Sequence, residues 1–116
     1  MDFSVIFDPQ DGPAVIVCPK RLDVNNSAQL KDLLNELITR SRYNIILDLE
    51  KTKYMDSSGL GAIVSRIADL RANGGDVRIA AARNNAAGLF RLTHLDKILH
   101  LYDTVSDARK SLEEQK

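Results

Sequence analysis

Ile45-Ile46-Leu47-Asp48-Leu49-Glu50-Lys51-Thr52-Lys53-Tyr54-Met55-Asp56-Ser57-Ser58-Gly59-Leu60-Gly61 is the stretch on which the fold turns. Its first part, with Tyr43 and Asn44, is short, apolar and nearly unbroken, the pattern of a strand covered on both faces, here residues 43–49. After Ser57 the period changes. Leu60, Ile63, Val64, Ile67 and Leu70 recur at helical intervals and predict a helix over 57–73. Asn73-Gly74-Gly75 ends it, because glycine enters the left-handed conformation at a helix C-terminus without steric penalty.

The same strand–helix alternation extends in both directions. Residues 3–7 and 14–17 read as two strands joined by Asp8-Pro9-Gln10-Asp11-Gly12-Pro13, a proline- and glycine-rich turn that makes a β-hairpin. Asn25, Asn26 and Ser27 offer helix caps ahead of Leu30, Leu33, Leu34, Leu37 and Ile38, the stripe of a one-faced helix. Downstream, residues 77–80 form a strand, Ala86, Ala87, Leu89 and Phe90 lie on a short helix, residues 99–101 form a brief strand, and 104–114 a last helix. The order β-β-α-β-α-β-α-β-α implies parallel pairing with right-handed crossovers. The expected fold is therefore α/β: one domain over residues 1–116, with a small mixed sheet and four helices.

Composition narrows the function. The chain has 116 residues, 16 Lys and Arg against 16 Asp and Glu, 44% hydrophobic and 28% charged residues, which suits one globular domain with its own core. Zero net charge argues against direct binding of nucleic acid or of an anionic membrane surface. Cys18 is alone and cannot form an internal disulfide, and two histidines supply no zinc ligand set. His94 and His100, with only Asp96 and Asp103 nearby in sequence, read as structural rather than metal-binding. There is no apolar run long enough to span a membrane and no signal-peptide pattern at the start, so a cytoplasmic location is expected.

The strand-to-helix junction is where open α/β sheets build sites, so its chemistry decides the function. Gly59-Leu60-Gly61-Ala62-Ile63-Val64 lacks the third glycine of a dinucleotide fingerprint, and no Walker spacing is present. Ser57 and Ser58 follow Met55 and Asp56 rather than the glycine of a hydrolase elbow, and no base is near in sequence. Nothing calls for an enzyme or a cofactor. Two readings stay open: Asp56 or Ser57 is simply an N-cap, with Gly59 and Gly61 allowing close packing, or the paired serines and glycines form a recognition site.

Tyr54-Met55-Asp56-Ser57-Ser58-Gly59-Leu60-Gly61, preceded by Ile45-Ile46-Leu47-Asp48-Leu49, resembles the signature of the STAS-domain anti-sigma factor antagonists of bacteria. The likeness continues in Leu22-Asp23, Asn73-Gly74-Gly75 and Leu89-Phe90-Arg91-Leu92-Thr93 to Leu95, and so covers most of the chain. One departure is Pro19-Lys20-Arg21, where family members often carry a glycine just ahead of the Leu-Asp pair. The resemblance implies a regulator that binds an anti-sigma factor serine kinase and so releases a sigma factor to RNA polymerase. The resemblance also implies that the kinase phosphorylates the first serine of the motif, here Ser57, that this blocks binding, and that a serine phosphatase acting on the phospho-form restores it.

On that resemblance the partner-binding residues are Asp23, Asn25, Asp56, Ser57, Ser58, Gly59, Gly61 and Ser65, with no catalytic residue and no metal. Turn formation and capping account equally for Asp23 and Asn25, and a solvated helix face for Ser65, Arg66 and Asp69. Two other functions remain open: a STAS regulator of a phosphatase, cyclase or secretion component, and a small-molecule or nucleotide-binding domain built on the same junction.

Overall fold

Strands β1 (Ser4–Phe7) and β2 (Ala14–Val17) form the expected hairpin, antiparallel with Ser4 opposite Val17 and Phe7 opposite Ala14. The computed structural model describes residues 3–9 and 12–113, so Gln10 and Asp11 of the hairpin turn and Glu114 at the end of the last expected helix lie outside it. The chain continues through β3 (Arg21–Leu22), α1 (Ser27–Thr39), β4 (Asn44–Asp48), β5 (Tyr54–Met55), α2 (Ser57–Val64) and α3 (Ile67–Ala72). It closes with β6 (Asp76–Ala80), α4 (Asn84–Leu92), a 3-10 turn at Leu95–Lys97, β7 (His100–Tyr102) and α5 (Val105–Glu113).

The main sheet has five strands in the order β1-β2-β4-β6-β7, and every pairing after the hairpin is parallel. Its two faces follow the alternation of side chains along a strand. On one, Ile16, Ile45, Leu47, Val77 and Ile79 pack with Leu30, Leu34 and Leu37 of α1, Leu60 and Ile63 of α2, Leu70 of α3 and Phe90 of α4. On the other, Val15, Ile46 and Ala80 meet Ala108 and Leu112 of α5. Each fully buried aliphatic side chain contributes roughly 1.5–3 kcal/mol relative to exposure, so the larger cluster carries most of the hydrophobic stabilisation.

The four expected helices are all present, the second in two pieces. The chain breaks between α2 and α3 at Ser65-Arg66, where Ser65 Oγ donates to the Ala62 carbonyl at 2.7 Å and Arg66 leaves helical geometry at φ −122° and ψ 13°. At its other end α3 finishes as predicted: Gly75 N donates to the Leu70 carbonyl at 2.8 Å, and Gly74 has φ 81°. A Cβ on Gly75 would stand 1.9 Å from the Tyr43 carbonyl oxygen, so only glycine lets β6 enter beside β4.

One feature departs from expectation. Neither β3 nor β5 was expected, and together they make a separate two-stranded parallel ladder pairing Arg21 with Tyr54 and Leu22 with Met55. Both histidines lie at the surface. His94 is exposed with φ 61°, and His100 on edge strand β7 has a side chain 54% exposed, its Nε2 3.9 Å from the Asp76 carboxylate.

Candidate functional site

The β3–β5 ladder brings together two loops that are distant in sequence. A seam of bonds ties them. Thr52 Oγ1 donates to the Pro19 carbonyl at 2.8 Å, Lys53 N and Tyr54 N donate to the Lys20 carbonyl at 2.7 and 3.2 Å, and Asp56 N donates to the Leu22 carbonyl at 3.2 Å. Pro19-Lys20-Arg21 is thus the lead-in to β3, and its carbonyls anchor the segment before Ser57. At the end of the ladder the loop after Leu22 and the start of α2 emerge side by side.

Asp56 caps α2. Its extended backbone (φ −113°, ψ −174°) turns the carboxylate over the first helical turn, and Oδ1 accepts from Ser58 N at 2.9 Å and Gly59 N at 3.1 Å. Two of the amides a helix start leaves unsatisfied are thereby used. Gly59 is buried against β3 and Gly61 is exposed, with nothing within 4 Å of the position its Cβ would take. The packing role expected of both glycines holds for Gly59 alone.

Ser57 is the first residue of α2 and is exposed, whereas Ser58 is half-buried. Ser57, Gly61 and Ser65 follow one another at intervals of four and are all exposed, while Gly59, Leu60, Ala62 and Ile63 are buried. Spacing of four residues puts side chains on one helix face, so the outward face of α2 is a strip of very small residues beginning at the Ser57 hydroxyl.

The neighbouring loop is organised internally. Asp23 is only 7% exposed: its Oδ1 accepts from Asn25 N at 3.0 Å, its Oδ2 accepts from Arg21 Nε at 3.2 Å, and its carbonyl accepts from Asn26 N and Ser27 N. Asn26 occupies the N-cap position of α1 without capping it. Its side chain faces back, accepting from Asp23 N at 3.0 Å and donating to the Arg21 carbonyl at 2.8 Å. Asn25 is exposed, and between Asp23 and Asn25 the loop presents Val24, 70% exposed.

Val24 escapes a sequence reading because a single valine in a loop has no period to reveal it. The same holds for Arg21, whose guanidinium carbon lies 4.4 Å from the centroid of the Tyr54 ring. A contact of this type contributes about 0.5–1 kcal/mol at an exposed site and joins the two strands on their outer side. Asn85, at the start of α4, donates through Nδ2 to the Met55 carbonyl at 2.8 Å and accepts from Met55 N at 2.8 Å.

Other chemistry finds little support at the junction. A surface cleft of about 480 Å³ at the ends of β2 and β4 is lined by Ser4, Val17, Cys18, Pro19, Lys20, Glu50, Lys51 and Lys53, and by none of the residues from Asp56 to Gly61. Burial, with the Asp48 charge second, pushes the Cys18 thiol well above its ordinary range, so it stays protonated and is no nucleophile at neutral pH. Among the described residues no group of three or more His, Cys, Asp and Glu is placed to hold a metal ion, and no helix is long and apolar enough to cross a membrane.

Residues 5–108 match the STAS domain family. The anti-sigma-B factor antagonist of Staphylococcus aureus is 30% identical over 101 residues, covering 87% of this chain and 94% of that protein. The anti-sigma F factor antagonist of Paenibacillus polymyxa is 27% identical over 114 residues, covering 97% of both chains. Among solved structures, the anti-sigma factor antagonist SpoIIAA in its unphosphorylated form superposes with a TM-score of 0.85 at 21% identity, covering 97% of each chain. The Bacillus cell fate determinant SpoIIAA in the phosphorylated form has a TM-score of 0.75 at 21% identity, covering 96% of this chain and 99% of that one.

Proposed function

The chain belongs to the STAS domain family, and from that premise we propose that it is an anti-sigma factor antagonist switched off by phosphorylation of Ser57. It binds an anti-sigma factor that is also a serine kinase and so frees a sigma factor. Phosphate on Ser57 breaks that complex, and a serine phosphatase restores it. In this reading residues 1–116 act as one domain, in the cytoplasm where sigma factors meet RNA polymerase, as a regulator rather than an enzyme. The relatives named as antagonists supply the general role.

The observation that carries the switch is an exposed serine, Ser57, at the head of a strip of small residues, beside the Asp23–Asn25 loop. Gly61 and Ser65 let a partner backbone approach α2 closely, and Asn25 and Val24 flank the approach. Asp56, Ser58, Gly59 and Asp23 contribute by holding the two loops in register, since their polar groups or their space are largely used within the protein.

Magnitudes favour a switch at the interface over one that unfolds the domain. A phosphoserine adds roughly −1.5 to −2 charge. The helix start favours that charge by about 0.3–1 kcal/mol, and the neighbouring Asp56 carboxylate opposes it. Inside a partner contact, by contrast, an unpaired phosphate incurs a desolvation penalty of several kcal/mol, and each ~1.4 kcal/mol is tenfold in affinity. A loss of two or more decades follows.

The test is incubation with the cognate anti-sigma kinase and ATP. Wild type takes up one phosphate per chain and Ser57→Ala takes up none; stoichiometric labelling of Ser57→Ala overturns the assignment. Co-purification of the kinase with a sigma factor supports the sigma cycle, whereas co-purification with a phosphatase, cyclase or secretion component assigns the chain to another partner-switching pathway.

A further inference from the structure

We infer that Asn85 is a positioning residue for the phosphoacceptor junction: its side-chain amide stands in for a third strand along β5 and so fixes the backbone from which Asp56 and Ser57 project. Strand β5 has only two residues, Tyr54 and Met55, and β3 pairs with one edge of it. On that edge Tyr54 N and Asp56 N are bonded to the carbonyls of Lys20 and Leu22. The N–H and C=O of Met55 point the other way, as alternation along a strand requires. Both meet Asn85, at 2.8 Å each: Met55 N donates to Oδ1, and Nδ2 donates to the Met55 carbonyl.

An amide side chain offers one donor and one acceptor, which is the complement that an adjacent strand would present. A two-residue ladder is marginal alone, so a second set of bonds on its open edge matters. Met55 is buried, and removing Asn85 would leave its backbone polar groups without their partners where water reaches poorly.

The route of the chain into α4 supports this role. Between β6 and the first turn of α4 the chain takes the left-handed region at two non-glycine residues, Ala81 at φ 60° and Asn84, where α4 begins, at φ 54°. Such conformations persist where the surroundings over-determine them. Here they deliver Asn85 to β5 and not to its own helix: the N-cap of α4 is Arg83, whose side chain makes no capping bond. An asparagine in a first helical turn ordinarily serves local backbone groups, whereas both polar atoms of Asn85 are spent 30 residues away.

The clamp holds Met55, one residue before the Asp56 cap and two before Ser57. That Ser57 is positioned for modification rests on the function proposed above; the clamp itself does not. The experiment is amide hydrogen exchange on the full chain, comparing wild type with Asn85→Ala and the isosteric Asn85→Asp. Expected for Asn85→Ala is about tenfold faster exchange at Met55, faster exchange at Ser58 and Gly59, whose amides Asn85 does not touch, and no change at Ala108, which exchanges by local opening of the last helix with the clamp intact. Asn85→Asp keeps the acceptor for Met55 N but sets a second acceptor against the Met55 carbonyl, so exchange at Met55 rises at least as much as in Asn85→Ala.

Unchanged exchange at Ser58 and Gly59 in Asn85→Ala overturns the inference, as does an equal rise at Ala108, which would mean that the change is not confined to openings that break the clamp. With the anti-sigma kinase and ATP, kcat at Ser57 falls about tenfold in Asn85→Ala while KM, set by the wider surface, stays within about twofold. Loosened exchange with unchanged kcat also overturns the positioning role. A wild-type chain that is no substrate at all refutes the phosphorylation reading and leaves the exchange result to decide the clamp.

Discussion

Gly59 stands so close to Leu22 that a Cβ at position 59 would lie 2.4 Å from the Leu22 carbonyl oxygen and 2.8 Å from its Cγ. The same carbonyl accepts from Asp56 N, so helix α2 and strand β3 are held in contact through backbone on both sides. The neighbour that would have to yield is main chain. Gly59→Ala should therefore destabilise the protein by about 1–3 kcal/mol, read from urea unfolding. Gly61→Ala supplies the contrast: it meets open space within a helix and should be neutral or stabilising by up to about 1 kcal/mol. Equal losses in the two variants would refute the distinction.

Asp56 gives a second prediction. Its carboxylate accepts from two first-turn amides, and α2 has just eight residues, so the cap is a large share of what fixes the helix start. Asp56→Ala should cost about 0.5–2 kcal/mol, while Asp56→Asn, which keeps an acceptor oxygen at the same place, should recover most of it. Matched unfolding midpoints for Asp56→Ala and wild type would show that the cap contributes nothing.

The residues that were legible in the sequence are those whose signal is periodic. The Ile45–Leu49 run, the Leu30, Leu34, Leu37 stripe and the Asn73-Gly74-Gly75 stop each state their own structure locally, and the strand–helix alternation they make implies the parallel pairing. The break at Ser65-Arg66 was invisible because Ile67 and Leu70 stay on the inward face after it, so the apolar period runs through. Strands β3 and β5 were invisible for another reason: two residues have no period, and Arg21-Leu22 and Tyr54-Met55 become strands only by finding each other. At the junction, Asp56 to Gly61 form a contiguous motif that is legible as a strand-to-helix turn. Val24, Thr52 and Asn85 were missed because their importance lies in contacts with segments about 30 residues away, or in exposure that only the fold decides.

Val24 leads to a third prediction. A valine 70% exposed in a loop beside the Ser57 helix adds little to folding, so Val24→Asp should leave the free energy of unfolding within about 0.5 kcal/mol of wild type. In the proposed complex the same change places a carboxylate in a contact, and affinity for the anti-sigma kinase, measured by calorimetry, should fall tenfold or more. Unaltered affinity would take Val24 out of the partner surface and shift the weight of recognition to α2.

A fourth prediction concerns pH. The Cys18 thiol is raised from its ordinary value of 9.0, chiefly by burial and secondarily by the Asp48 charge. Its proton is therefore held more tightly in the folded chain than in the unfolded one. Below pH 9 both states keep the proton, and the group contributes no slope. Above it the unfolded chain ionises first and binds fewer protons, so stability declines with rising pH, with a slope that approaches about 1.4 kcal/mol per pH unit for this one group. Cys18→Ala should remove that component. The smaller side chain leaves a void and lowers stability at every pH by roughly 1 kcal/mol, so the comparison must be of slopes between pH 8 and about 10 and not of absolute values. All other ionisable groups are common to both proteins and cancel in the difference. Parallel slopes for wild type and Cys18→Ala would mean that the thiol ionises in the folded chain as readily as in the unfolded one, and hence that the end of β2 opens to water beside Lys20, Lys51 and Lys53.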